Sequence, residues 1–163
     1  MRIRGRAMEK KKVKRTGIAF VPAGPSDLER VLAFIKEYYE LDDIPFKASI
    51  IESGLKVLLA ERSLGRAWMI CANEIDVGYC VLTFGFDLEF GGRQATVTDL
   101  YIVEDYRRLG LGRRAMEFME AFCREMGLAA MELQVENNNG QAPNFYRALG
   151  FQAHNRVPHS KLL

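Results

Sequence analysis

The densest chemistry in this 163-residue chain lies in one stretch, VTDLYIVEDYRRLGLGRR, residues 97–114. A β-branched, apolar run ends in a short loop, Gly110 and Gly112 follow, and a helical pattern begins. Glycines at a helix start let the backbone approach a ligand closely. The first-turn N–H groups have no intrahelical partners and sit at the positive end of the helix dipole. Such a place suits a phosphate or pyrophosphate, and Arg107, Arg108, Arg113 and Arg114 add positive charge around it. Gly110-x-Gly112-x-x-Ala115 also matches a dinucleotide fingerprint. However, six residues separate Val103 from Gly110, whereas a Rossmann turn follows its strand at once. A lone match of that kind is weak.

Asp99 is the only acid between Gly92 and Glu104, on the run that leads into the glycine loop. It is a candidate general base, able to take a proton from a reacting group directly or through a water. The competing reading is a structural carboxylate that accepts hydrogen bonds from a loop. Tyr38-Tyr39-Glu40-Leu41-Asp42-Asp43, with Asp87, Glu89 and Asp99, offers an acidic rim. Such a rim would attract a cation, and Tyr39, Glu40 and Asp99 are its ligand-facing candidates; a solvated acidic face is the alternative. The three cysteines, Cys71, Cys80 and Cys123, are odd in number and widely spaced, and both histidines lie near the C-terminus. That pattern is neither a disulfide framework nor a zinc site. No metal is expected, and a reducing, cytoplasmic setting is.

The elements that must position these residues follow from periodicity. A strand over 17–22 ends at Pro22. Ser26-Asp27-Leu28-Glu29 has the form of a capping box, and Leu28, Val31, Leu32, Ile35 and Tyr39 repeat at helical spacing over 27–39. Pro45 opens a second, weaker helix that Gly54 interrupts. Runs over 66–72, 77–86 and 94–103 predict an antiparallel meander. A strong helix over 112–126 carries Phe118, Met119, Phe122, Cys123 and Met126 on its apolar stripe and stops at Gly127. A strand over 130–135, with Met131, Leu133 and Val135 inward, a short helix over 144–149 and a last strand from Phe151 complete the chain. The fold class is α/β: one mixed sheet, an antiparallel meander followed by a parallel crossover, flanked by helices.

Two motifs now stand together. Arg107-x-x-Gly110-x-Gly112 after a strand resembles the Q/R-x-x-G-x-G/A signature of the GNAT superfamily of N-acetyltransferases. The segment Asn139-Gly140-Gln141-Ala142-Pro143-Asn144-Phe145-Tyr146-Arg147-Ala148-Leu149-Gly150-Phe151 resembles that family's N-x-x-A-x-x-F/L-Y-x-x-x-G-F signature. The resemblance implies acetyl-CoA as co-substrate, bound between two splayed parallel strands. By the same resemblance, main-chain groups of Leu100, Tyr101 and Ile102 pair with the pantetheine arm. Main-chain N–H groups along Arg108, Leu109, Gly110, Leu111, Gly112 and Arg113 hold the pyrophosphate, and Arg107 is a further cofactor-binding residue. Asn139 touches the pantetheine side, and Tyr146, beside the thioester sulfur, is the general acid. Pro143, where many members have an ordinary helix residue, puts the helix start near residue 142 or 143 and leaves Asn139 in the preceding loop. The EYYELDD stretch is similar to the acceptor-side helix of diamine and polyamine acetylating members. The implied acceptor is a small cationic amine; homodimers are common in the family.

Composition frames the alternatives. Residues 1–15 hold eight of the 23 Lys+Arg and one acid; the other 148 carry 15 basic and 20 acidic groups, a charge of −5. The arm over 1–15 reads as a solvated, disordered tail ahead of a domain over 16–163. A nucleic-acid role would rest on that arm alone, and the acidic remainder opposes it. No apolar run approaches the length of a membrane span. A non-catalytic acyl-CoA-binding module would keep Gly110 and Gly112 without needing Tyr146, and a protein N-terminal or side-chain acetyltransferase would share every motif above.

Overall fold

A computed structural model of the chain describes residues 17–135 and 142–163; the basic arm over 1–15 and Asn139 lie outside the described residues. Strands β1 (Ile18–Pro22), β2 (Gly65–Ala72), β3 (Ile75–Asp87), β4 (Gly92–Ile102) and β5 (Ala130–Leu133) form one sheet in that spatial order. The first three pairings are antiparallel and β4–β5 is parallel, giving the mixed sheet that the periodicity predicts. Helices α1 (Leu28–Leu41) and α2 (Ala48–Ala60) cover one face. Helix α3 (Leu111–Glu125) and the short α4 (Ala142–Arg147) pack on the other.

Each face has its own apolar cluster. Under α3, Leu111, Ala115, Met116, Met119 and Cys123 meet Trp68, Ile70, Leu82, Ala95 and Val97. Full burial of a leucine or methionine contributes about 1.5–3 kcal/mol, so this stripe fixes α3 across the sheet. Phe118 and Phe122 add edge-on contacts to Trp68 at 5.3 and 4.9 Å. Under α1 and α2, Val31, Ile35, Leu55 and Leu59 meet Met69, Tyr79, Val81 and Tyr101.

Several expectations are corrected. Ser26 lies within a 3-10 turn, Pro25–Asp27, and α1 starts after Asp27, whose carboxylate accepts the Gly24 N–H at 3.0 Å; the Ser26–Glu29 box does not form. Helix α2 runs through Gly54 without a break. Met126 falls past the buried stripe and is exposed, and Val135 lies two residues beyond β5. Residues 151–163 form no strand. Beyond Phe151 the sequence QAHNRVPHSKLL lacks an alternating apolar set, and Pro158 cannot donate to a ladder.

The feature that matters most for the site is a bulge in β4. Val81 stands opposite Asp99 and Leu82 opposite Val97, leaving Thr98 without an opposite residue. Side chains alternate along a strand, so one extra residue reverses every later position. Ala95 and Val97 face α3, while Tyr101 faces α1 and α2. Asp99, paired with Val81, shares that second face.

Close contact between β3 and β4 at this end depends on Gly78. A Cβ there would stand 2.1 Å from the Tyr101 carbonyl oxygen and 3.0 Å from the Ile102 Cα. Gly78→Ala is expected to destabilise the fold by about 1–3 kcal/mol through backbone displacement, read as a lower urea midpoint at unchanged slope. A midpoint equal to the parent's would show that the strands separate there without penalty.

Candidate active site

Gly110 occupies the N-cap of α3 with φ 83° and ψ 3°, and no side chain caps the helix. Arg108 also has positive φ, 61°, a conformation that costs a non-glycine residue on the order of 1 kcal/mol and collects at functional sites. The first helical bond runs from the Arg114 N–H to the Gly110 carbonyl at 3.1 Å. The N–H groups of Leu111, Gly112 and Arg113 therefore precede the helical ladder. A Cβ on Gly110 would meet nothing within 4 Å, and one on Gly112 would make ordinary contacts with Phe145 and Ile102 at 3.8 and 3.9 Å. Main-chain donors, an uncapped helix start and open space above Gly110 fit a pyrophosphate. The arginines differ in role. Arg107 folds back, its Nε donating to the Ile102 carbonyl at 2.6 Å and its guanidinium lying 5.4 Å from the Tyr101 ring centre, so it ties the loop to β4. Arg113 sits 4.0 Å from Glu117 on the exposed face of α3. Leu109 is exposed, while the Leu111 side chain is in the core, which leaves its main chain to act.

The strand edge leading to this loop opens as it approaches. The last β4–β5 pair is Val97 with Leu133, and β4 continues five residues further to Ile102. The Val103 N–H bonds to the Val77 carbonyl at 2.9 Å. Opposed residues in an antiparallel ladder alternate between bonded and non-bonded pairs. Tyr101 thus directs its main-chain groups to β3, and Leu100 and Ile102 direct theirs to the open edge. Of the three residues expected to pair with an extended arm, these two face it, and the Ile102 carbonyl already accepts from Arg107.

On the α1/α2 face, Asp99 and Tyr39 line a cleft of about 260 Å³ together with Ile35, Ile51, Leu55 and Val81. Burial pushes the Asp99 carboxyl up to about 6, and the Tyr79 hydroxyl beside it partly offsets that rise. The hydroxyl is itself buried without a well-formed hydrogen bond, so it influences the carboxylate without being fully satisfied by it. Burial, then the Asp99 charge, drives the Tyr79 phenol far above its ordinary range. The rest of the expected acidic rim stands elsewhere. Glu40 is exposed, 4.0 Å from Lys36. Asp87 accepts the Glu89 N–H at 2.7 Å, and Glu89 pairs with Arg156 at 2.5 Å. Asp42 and Asp43 are exposed at the end of α1. Among the described residues, no group of His, Cys, Asp and Glu is placed to hold a metal ion.

Tyr146 comes from the opposite face. It is partly buried against the α3-side cluster, edge-on to Phe145 at 5.1 Å and to Phe151 at 5.9 Å. Burial raises its pKa, so the phenol keeps its proton through neutral pH. Its neighbour Phe145 lies over Gly112 beside Ile102, which seats α4 where β4 ends and α3 begins. The sequence reading missed Tyr79 and Gly54, both of which bear on the cleft. An acid at the parity of Ala95 and Val97 was the signal for the first, and a glycine inside a helical pattern for the second.

A family model described as the acetyltransferase (GNAT) family matches residues 31–151. The chain belongs to that family. Among solved structures it is similar to an integron cassette protein from the mobile metagenome of Cole Harbour Salt Marsh, with 26% identity, a TM-score of 0.77, and 88% of this chain and 90% of that chain covered. An aminoglycoside acetyltransferase from an uncultured soil metagenomic sample shares the fold at 18% identity and a TM-score of 0.72, over 91% of this chain and 97% of that one. So does a ribosomal-protein-alanine N-acetyltransferase from Brucella melitensis biovar Abortus 2308, at 14% identity and a TM-score of 0.69, over 90% and 99%. No curated protein matches the chain.

The raised Asp99 has a thermodynamic consequence. Between about pH 4 and pH 6 the native carboxyl keeps a proton that the unfolded chain has released, so stability falls as pH rises through that window. Above pH 6 the penalty is complete. Asp99→Asn removes the charge at nearly the same shape, so it should stabilise the protein at pH 7.5 by up to about 3 kcal/mol, the scale of a shift of roughly two units. The gain should vanish by pH 4. Urea midpoints at both pH values check this; a loss of stability at pH 7.5 would mean that the carboxylate is bonded more strongly than its surroundings indicate.

Proposed function

We propose that the chain is an acetyl-CoA-dependent N-acetyltransferase that passes an acetyl group to a primary amine, a small acceptor cationic at neutral pH, by direct attack. The observation that carries this reading is the junction of β4 and α3. An outward-facing strand edge at Leu100 and Ile102 runs into an uncapped helix start at Gly110, with the Asp99 cleft on one side and Tyr146 on the other.

The main-chain N–H groups of Leu111, Gly112 and Arg113, with those of Arg108 and Leu109 in the preceding loop, hold the pyrophosphate. Leu100 and Ile102 offer main-chain groups to the pantetheine arm, and Asn139 is assigned to its other side. Bound there, acetyl-CoA supplies an acetyl thioester whose carbonyl carbon is the electrophile. The acceptor enters between α1 and α2 as an ammonium, and the Asp99 carboxylate takes its proton, directly or through a water. With a pKa of about 6, that carboxylate is ionised at pH 7 and still returns the proton to solvent readily. The amine nitrogen then bonds to the acetyl carbon as the carbon–sulfur bond breaks. Tyr146, whose phenol stays protonated, donates its proton to the departing sulfur; the acylated nitrogen sheds its second proton to water and the phenoxide regains one from water, so one proton in all is released per turnover.

Gly110→Glu places bulk and negative charge where the pyrophosphate sits and adds strain at positive φ. It should abolish acetyl-CoA binding in calorimetry while the protein stays folded; unchanged affinity would remove the cofactor assignment. Tyr146→Phe should lower kcat about 10- to 10⁴-fold with little change in acetyl-CoA affinity, and equal turnover would leave the ring as packing. In the parent enzyme kcat/KM should rise with pH along a limb centred near 6, and Asp99→Asn should erase that limb.

A further inference from the structure

We infer that the acceptor is a primary amine carried on an apolar body, and that Gly54 sets how much of that body fits; this rests on the acetyltransfer reading above. The cleft has one charged group, Asp99, at its floor on β4. Apart from Tyr39, Thr83 and Thr98, its walls are aliphatic, from Ile35 on α1, from Ile51, Leu55 and Leu58 on α2, and from Val81 on β3. One partly buried carboxylate satisfies one ammonium. A second charge on the acceptor would be desolvated against hydrocarbon with no partner, an unfavourable transfer. None of the other acids of the expected rim lines the cleft: Glu89 pairs with Arg156, Asp87 accepts in the hairpin turn, and Glu40, Asp42 and Asp43 face solvent at the end of α1. Charge count and lining thus select a monoamine with a hydrocarbon substituent over a polyamine or an aminoglycoside.

Gly54 supplies the second, independent observation. It lies in the middle of α2, where glycine weakens a helix relative to alanine. No neighbour demands it, since a Cβ at that position would meet nothing within 4 Å and its φ lies outside the positive range. It does line the cleft. Gly54 is exposed and lies along the cleft that holds Asp99, so a glycine that the protein's own packing does not require keeps that side of the cleft open.

The test uses the full-length chain with acetyl-CoA and reads thiol release over n-butylamine to n-octylamine, phenethylamine, spermidine and an aminoglycoside. kcat/KM should rise about two- to fourfold per added methylene until the cleft is full, and the best alkylamine should exceed spermidine and the aminoglycoside at least tenfold. Gly54→Leu should cut kcat/KM for octylamine tenfold or more and for butylamine far less, with acetyl-CoA affinity in calorimetry and the melting temperature not reduced. Thermal shift with phenethylamine, coenzyme A present, reads the cleft without the reaction: the shift seen in the parent should be lost in Gly54→Leu. A flat alkyl series, a preference for spermidine or the aminoglycoside, or indifference of both readouts to Gly54→Leu overturns the inference while leaving acetyl transfer standing. Absence of acetyl-CoA binding in calorimetry overturns the acetyltransfer reading and the inference with it.

Discussion

The extra residue at Thr98 is the constraint on which both halves of the site depend. Up to Val97, β4 is an ordinary strand: Ala95 and Val97 point into the α3-side core, and β5 is paired along it. After Thr98 the parity reverses, and the strand bend that accompanies a bulge coincides with the end of the β5 pairing. Without the bulge, Asp99 would follow Val97 onto the face formed by Leu111, Met116 and Met119, a place with no partner for a carboxylate. With it, Asp99 reaches the α1/α2 cleft and the main chain of Leu100 and Ile102 faces the opening. One insertion thus positions an acid on one side of the strand and a free hydrogen-bonding edge along its rim.

Much of the fold was legible because its signals are local. Gly110 and Gly112 between an apolar run and an amphipathic stripe announced a strand, a loop and a helix start, and the structure places all three there. Gly127 stops α3 at a positive φ of 66°, as a glycine after a helix should. What failed were features decided by distant contacts. Gly54 was read as a break, yet α2 continues because Leu55 and Leu59 bury against the sheet and outweigh one glycine. The expected last strand from Phe151 does not form, and the sequence beyond Phe151 has no alternating apolar set to support one. The bulge was legible only as a conflict: straight alternation through 95, 97, 99 and 101 puts a carboxylate on a core face, and a reversal resolves it.

Stability and chemistry oppose each other at Asp99. Burial raises its carboxyl toward neutrality, which is what a proton acceptor working near pH 7 needs and what a folded protein is better off without. Tyr79 shows the same tension. Its hydroxyl is fully enclosed, close enough to influence Asp99, and lacks a good partner. Replacing either group by an apolar one would ease the fold. Their retention on adjacent paired positions, Tyr79 with Tyr101 and Val81 with Asp99, is intelligible if the carboxylate must remain chargeable within an apolar wall. Arg108 belongs to the same class, a non-glycine residue at positive φ in the turn before the helix start.

The two halves of the proposed site leave unequal traces in sequence because main-chain and side-chain recognition constrain different residues. A main-chain site constrains the few residues whose side chains must be absent or whose φ must be positive, and glycines in a fixed spacing stand out. A side-chain pocket walled by Ile35, Ile51, Leu55 and Val81 uses the residue types, at the helical spacing, that a core uses. Periodicity cannot separate an isoleucine that closes a core from one that faces a cleft. Only the three-dimensional arrangement does so, through an unoccupied direction at Gly54 and a single carboxylate where the alternation would have none. That is why the charged residues of the α1 end and the β3–β4 hairpin suggested an acidic rim when read in sequence. In the fold those residues are paired or solvent-facing, and the surface that meets the cleft is mostly hydrocarbon, with three hydroxyl-bearing residues, Tyr39, Thr83 and Thr98, and one acid.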